Sequence, residues 1–141
     1  MNLPHPFARL AAAAAVALCA TLAATGAAAQ SWEYKSYKRI GPGNQYDKDN
    51  FIAGTIQVEP KGEQWAFRMI AGKVDVCYRG ALPAVVNKTE ELTTIEVSQP
   101  VPGCEAFRYT IRNDGSGGFK EVLEGEQWRR TRFDHGLTPK K

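Results

Sequence analysis

Apolar residues in this chain recur at every second position in short runs, and Gly, Pro, Asn or charged clusters punctuate the runs. A period of two is the signature of half-buried strands, and no stretch long enough for a stable helix carries the helical period. Residues 32–40 set Trp32, Tyr34, Ser36 and Lys38 against Glu33, Lys35, Tyr37 and Arg39. Residues 51–59 align Ile52, Gly54, Ile56 and Val58, and residues 64–71 align Trp65, Phe67 and Met69. In 73–79, Val74, Val76 and Tyr78 stand opposite Asp75, Cys77 and Arg79. In 104–112, Phe107, Tyr109 and Ile111 stand opposite Cys104, Arg108, Thr110 and Arg112. Residues 82–88, 92–98, 119–123 and 127–133 complete eight or nine strand candidates. Breaks are expected at 41–50, 60–62, 100–103 and 113–118. The expected fold is all-β, either a small antiparallel β-barrel of about eight strands or a two-sheet sandwich.

The amino-terminal segment does not belong to that pattern. Residues 10–24 are nearly all alanine and leucine, Arg9 precedes them, and Ala27-Ala28-Ala29 follows. A basic head, an apolar core too short to span a bilayer and a small-residue cleavage triplet make a secretory signal peptide. Residues 1–29 are therefore assigned as the signal and 30–141 as a single domain, periplasmic or secreted, starting at Gln30 or Ser31. Cys19 raises the alternative of a lipoprotein signal, which Leu18 immediately before it disfavours.

Removal of 29 of the 141 residues leaves 112, enough for one modest core. Arg9 is the only charge lost, so the net charge falls from +3 to +2. That is too small for a nucleic-acid-binding face. No later apolar run is long enough for a transmembrane segment. Of three cysteines, only Cys77 and Cys104 survive cleavage, and an exported domain with two cysteines pairs them. If both lie on strands that bury their aromatic sides, they share an outer surface with Asp75, Arg79, Arg108 and Arg112.

The inventory of reactive groups is short. His135 is the single histidine of the mature chain, which excludes two-histidine metal sites and leaves one candidate base, beside Asp134. Glu90-Glu91 and Glu121, Glu124 and Glu126 fall in or near turns, where carboxylates are solvated or balanced by Arg129, Arg130 and Arg132. Gly115-Ser116-Gly117-Gly118 leads into a strand rather than a helix, so it reads as a turn and not a phosphate cradle. Catalysis, cofactors and metals are not expected.

The positive signal is the arginine face. Arg79, Arg108 and Arg112, with Arg68 as a possible neighbour, suit an acidic partner because guanidinium binds carboxylates bidentately. The expectation is a non-enzymatic binding module of the bacterial envelope or exterior. It would engage a protein or an anionic envelope polymer through loops or this face. The alternative is a lipocalin-like carrier holding a small apolar ligand in a barrel lumen.

Overall fold

The computed structural model describes residues 28–42 and 45–141. The signal assigned to 1–29, with Arg9 and Cys19, lies outside the described residues except for Ala28 and Ala29. Eight strands follow in order: β1 (Gln30–Arg39), β2 (Tyr46–Lys61), β3 (Gln64–Ala71), β4 (Leu82–Lys88), β5 (Leu92–Val97), β6 (Phe107–Arg112), β7 (Gly118–Glu124) and β8 (Gln127–Pro139). Each pairs antiparallel with the next. β1 also pairs with β8, from Trp32↔Pro139 to Lys38↔Phe133, so the order closes into a barrel. The all-β, antiparallel, disulfide-linked architecture expected from the period of two is present.

Two tight turns show how sequence sets register. Gly62-Glu63 joins β2 to β3 and Gly125-Glu126 joins β7 to β8, with φ of 63° and 64° at the glycines. No other residue type among the described residues takes a positive φ, so glycine alone supplies the left-handed step of these two-residue hairpins.

The inward faces fill the barrel. Trp32, Tyr34, Ile56, Val58, Phe67, Ile95, Val97, Phe107, Tyr109, Ile111 and Leu137 are buried. Phe67 meets Phe107 edge-on at 5.3 Å and stacks on Tyr109 at 6.0 Å. Each such side chain contributes about 1.5–3 kcal/mol on burial.

Several expected boundaries are corrected. Residues 73–79 form no strand; the connection 72–81 carries a single 3-10 turn, Val76–Tyr78. The Asp75 carboxylate accepts a hydrogen bond from the Cys77 backbone N–H at 2.9 Å, which competes with extended pairing. Val76, expected inside, is 58% exposed. β6 begins at Phe107 rather than Cys104, because a turn around Pro102 and Gly103 closes with the Cys104 N–H donating to the Val101 carbonyl at 2.9 Å. β2 starts at Tyr46 inside the expected polar break, and β8 runs on to Pro139 because β1 pairs with it.

The Cys77–Cys104 bridge is formed, with Cα atoms 5.6 Å apart. It joins two loops, 72–81 and 98–106, and not two strand faces as expected. Antiparallel order places both loops at one end of the barrel, together with the β1–β2 and β7–β8 connections. The β4–β5 and β6–β7 turns and both ends of the barrel domain lie at the other end. At that end Asn113 ties the turns together: it donates to the Thr89 and Glu90 carbonyls at 2.9 and 3.1 Å and accepts from the Thr93 hydroxyl at 2.6 Å.

Candidate functional site

A cavity also opens at the disulfide-bearing end. β3 pairs with β4 through only three positions, Trp65↔Ala84 to Phe67↔Leu82, and the last residues of β3 run past β4. The loop 72–81 crosses this region and sends Tyr78 inward against the Phe107 ring, 5.0 Å away and edge-on. A cavity of about 250 Å³ remains, lined by Tyr34, Ser36, Met69, Asp75, Tyr78 and Lys120 among others.

Lys120 is the unusual group in this wall. It lies opposite Tyr109 across the β6–β7 pairing, which turns it inward with Gly118, and it is only 7% exposed. Its ammonium donates a hydrogen bond to the Tyr78 hydroxyl. Nζ also sits 3.9 Å from the Tyr78 ring centroid, 5.1 Å from Phe107 and 5.8 Å from Tyr109. Aromatic faces attract a cation but do not replace its hydration. Burial therefore pulls the Lys120 pKa down to about 8, against the opposing pull of Asp75 and Glu105.

The phenols around it are kept protonated. Burial, reinforced by Asp75, Tyr34 and Glu105, pushes Tyr78 up to about 12. Burial holds Tyr109 well above its ordinary value and raises Tyr34, whose hydrogen bond with Ser36 acts the other way. The cavity thus offers one desolvated amine and neutral hydroxyl groups beside apolar side chains, with Lys73 and Asp75 also in its lining.

The sequence-derived arginines do not share one strand face. Arg79 is on the loop 72–81, where its Nε donates to the Val74 carbonyl at 3.2 Å. Arg108 faces out from β6, paired with Glu121 at 2.6 Å, and its guanidinium lies 4.4 Å over the Trp128 ring. Arg112 ends β6, four residues on, which is about 13 Å along a strand and toward the Asn113 end. Arg68 pairs with Glu59 at 3.1 Å on β3. The common strand face expected to carry them beside the bridge is absent, because Cys77, Arg79 and Cys104 are on loops rather than strands.

His135 and Asp134 contribute backbone to β8, pairing with Ser36 and Tyr37 of β1; their side chains lie outside the described residues. Among the described residues no group of three metal-ligating side chains comes together, and no helix is long and apolar enough to cross a membrane.

Lys120 escapes a reading by hydropathy because Phe119 and Leu123 occupy the opposite phase of its strand. Both are only half-buried, and Phe119 is covered by the Arg130 guanidinium at 4.6 Å. The signal that finds Lys120 is register: with Tyr109 inward, its antiparallel partner must face inward too.

Comparison with known proteins finds no matching family model, no matching curated protein and no matching solved structure.

Proposed function

We propose that this protein is an exported, non-enzymatic binding module, periplasmic or secreted, whose recognition site is the barrel mouth around Lys120. The observation that carries this reading is an almost fully buried lysine at an open cavity in a largely apolar, packed interior. A Met or Leu at this position would pack without the desolvation cost of an amine. Perturbed titratable groups lining a cavity are the physical mark of a binding site.

The ligand class follows from the lining. The cavity has room for about eight waters at roughly 30 Å³ each, and so for a small molecule or a protruding group. Lys120 calls for an oxygen acceptor, and Met69 and the tyrosine rings suit a flat apolar remainder. A larger apolar ligand deep in the lumen would have to displace Phe67, Phe107 and Tyr109, which speaks against the carrier alternative. The arginines give less support to an acidic macromolecular partner, since Arg108 is already matched by Glu121.

The test is a thermal-shift screen of the purified protein with small carboxylates, aldehydes and ketones. A ligand at a hundred times its Kd stabilises by about 2.7 kcal/mol, a shift of several degrees. Lys120→Met should remain folded and lose that shift. Equal shifts in both proteins, or none with any compound in wild type, would refute the mouth as the site.

A further inference from the structure

We propose that Lys120 is a carbonyl-capture site, forming a reversible imine with small neutral aldehydes that enter the barrel mouth. This inference rests on the mouth being the binding site and names the chemistry of what it takes.

Geometry supplies the parts. Lys120 Nζ lines a cavity of about 250 Å³ and touches the hydroxyl of Tyr78. Capture requires a free amine, a proton donor for the departing oxygen and restricted water. The neutral fraction of an amine with pKa about 8 is about a tenth at pH 7, a few hundred times that of an ordinary lysine. Tyr78 remains a phenol throughout this range. Met69 and Tyr109 in the cavity lining, and the Phe107 ring beside the amine, limit the water available to reverse the condensation.

The step balances without an oxidant or reductant. The Lys120 lone pair attacks the carbonyl carbon, a C–N bond forms, and the carbonyl π pair moves to oxygen, which takes a proton. The nitrogen gives up its extra proton to leave a neutral carbinolamine; a second proton then reaches the hydroxyl, the nitrogen lone pair forms C=N as water departs, and the remaining N–H proton is lost to give the neutral imine. Tyr78 is placed to give a proton to that oxygen and to recover one from nitrogen.

The groups facing the amine choose among carbonyl compounds. Asp75 and Glu105 place negative charge near Lys120, and Tyr34, Tyr78 and Tyr109 surround it as neutral phenols. Lys73 contributes positive charge at the cavity lining. The carboxylates disfavour an anionic keto acid next to the amine, so a neutral aldehyde fits better. The cavity size limits it to roughly ten heavy atoms or fewer.

The experiment is reductive trapping. The protein is incubated at pH 7 with limiting benzaldehyde and cyanoborohydride, and benzylated lysines are mapped by peptide mass spectrometry. Lys120 should be labelled at least tenfold faster than Lys35, Lys61, Lys88 or Lys140. Its rate should level off near pH 8. Tyr78→Phe should slow Lys120 labelling about tenfold without changing the other lysines. Lys120→Arg should reduce total incorporation to the surface background. Lys120 labelling no faster than the exposed lysines overturns the proposal. If the thermal-shift response to other small ligands persists in that case, the binding-site reading stands and only imine capture fails.

Discussion

Lys120 on β7 hydrogen-bonds the hydroxyl of Tyr78, which stands 42 residues earlier on a loop locked by the Cys77–Cys104 bridge. One side of the contact belongs to the sheet and the other to the connection over its mouth. The same pair joins the stability of that end to the protonation of a single amine.

The pH dependence has a definite sign. A lysine whose folded pKa is about 8, below its ordinary 10.5, contributes its full stability above pH 10.5, and that contribution is lost as pH falls through 8. Over the whole interval the difference is about 3 kcal/mol. Tyr78, raised to about 12, acts oppositely above pH 10, so the clean window is pH 8 to 10. Urea midpoints of wild type should rise across this window relative to Lys120→Met. Parallel profiles would place Lys120 in solvent.

Removing the bridge should loosen the loop that presents Tyr78. A closed span of 27 residues corresponds to about 3.5 kcal/mol in the chain-entropy model. The Cys77→Ser/Cys104→Ser variant should lose a large part of that in chemical denaturation, and its Lys120 should titrate closer to 10.5. Thiol titration of the denatured, unreduced wild type should find no free thiol from this pair.

Asp75 acts on both backbone and charge. Asp75→Ala removes the acceptor for the Cys77 N–H, with an expected cost of about 1 kcal/mol. It also removes a carboxylate that supports the Lys120 ammonium, so the Lys120 pKa should fall further below about 8. A rise would mean that the loop had opened and rehydrated the amine.

The two outer arginines of β6 should separate in a stability measurement. Arg108→Ala breaks the 2.6 Å pair with Glu121 and the stack on Trp128, and should cost about 1 kcal/mol. Arg112→Ala should stay within about 0.5 kcal/mol of wild type. Equal losses would indicate that Arg112 has a structural role at its end of the barrel.

Most of the core was legible in the sequence because the interior obeys the period of two. Trp32, Tyr34 and Ser36 on β1, and Phe107, Tyr109 and Ile111 on β6, are buried as their alternation predicts. The same rule misled over residues 73–79, where a side-chain cap at Asp75 overrides an alternating run and exposes Val76, although Tyr78 still turns inward. It was silent at Tyr46 and Asp47, where β2 pairs with β1 without an apolar face to announce it. The cysteine pair followed from the number of cysteines, although the shared strand face offered as support does not exist. The candidate site was least legible: Lys120 has the wrong polarity for its face, and Tyr78 reaches it from a loop. Neither local propensity nor spacing records a contact set by barrel register and a cross-linked connection.

The account turns on whether Lys120 is a buried, desolvated amine at the mouth. Heteronuclear NMR titration of the lysine side chains, with Lys120→Arg identifying the resonance, measures this directly. The Lys120 resonance should titrate near pH 8 and should shift when a small carbonyl ligand is added. Lys120 titrating near its ordinary 10.5, unmoved by every such ligand, would contradict the account.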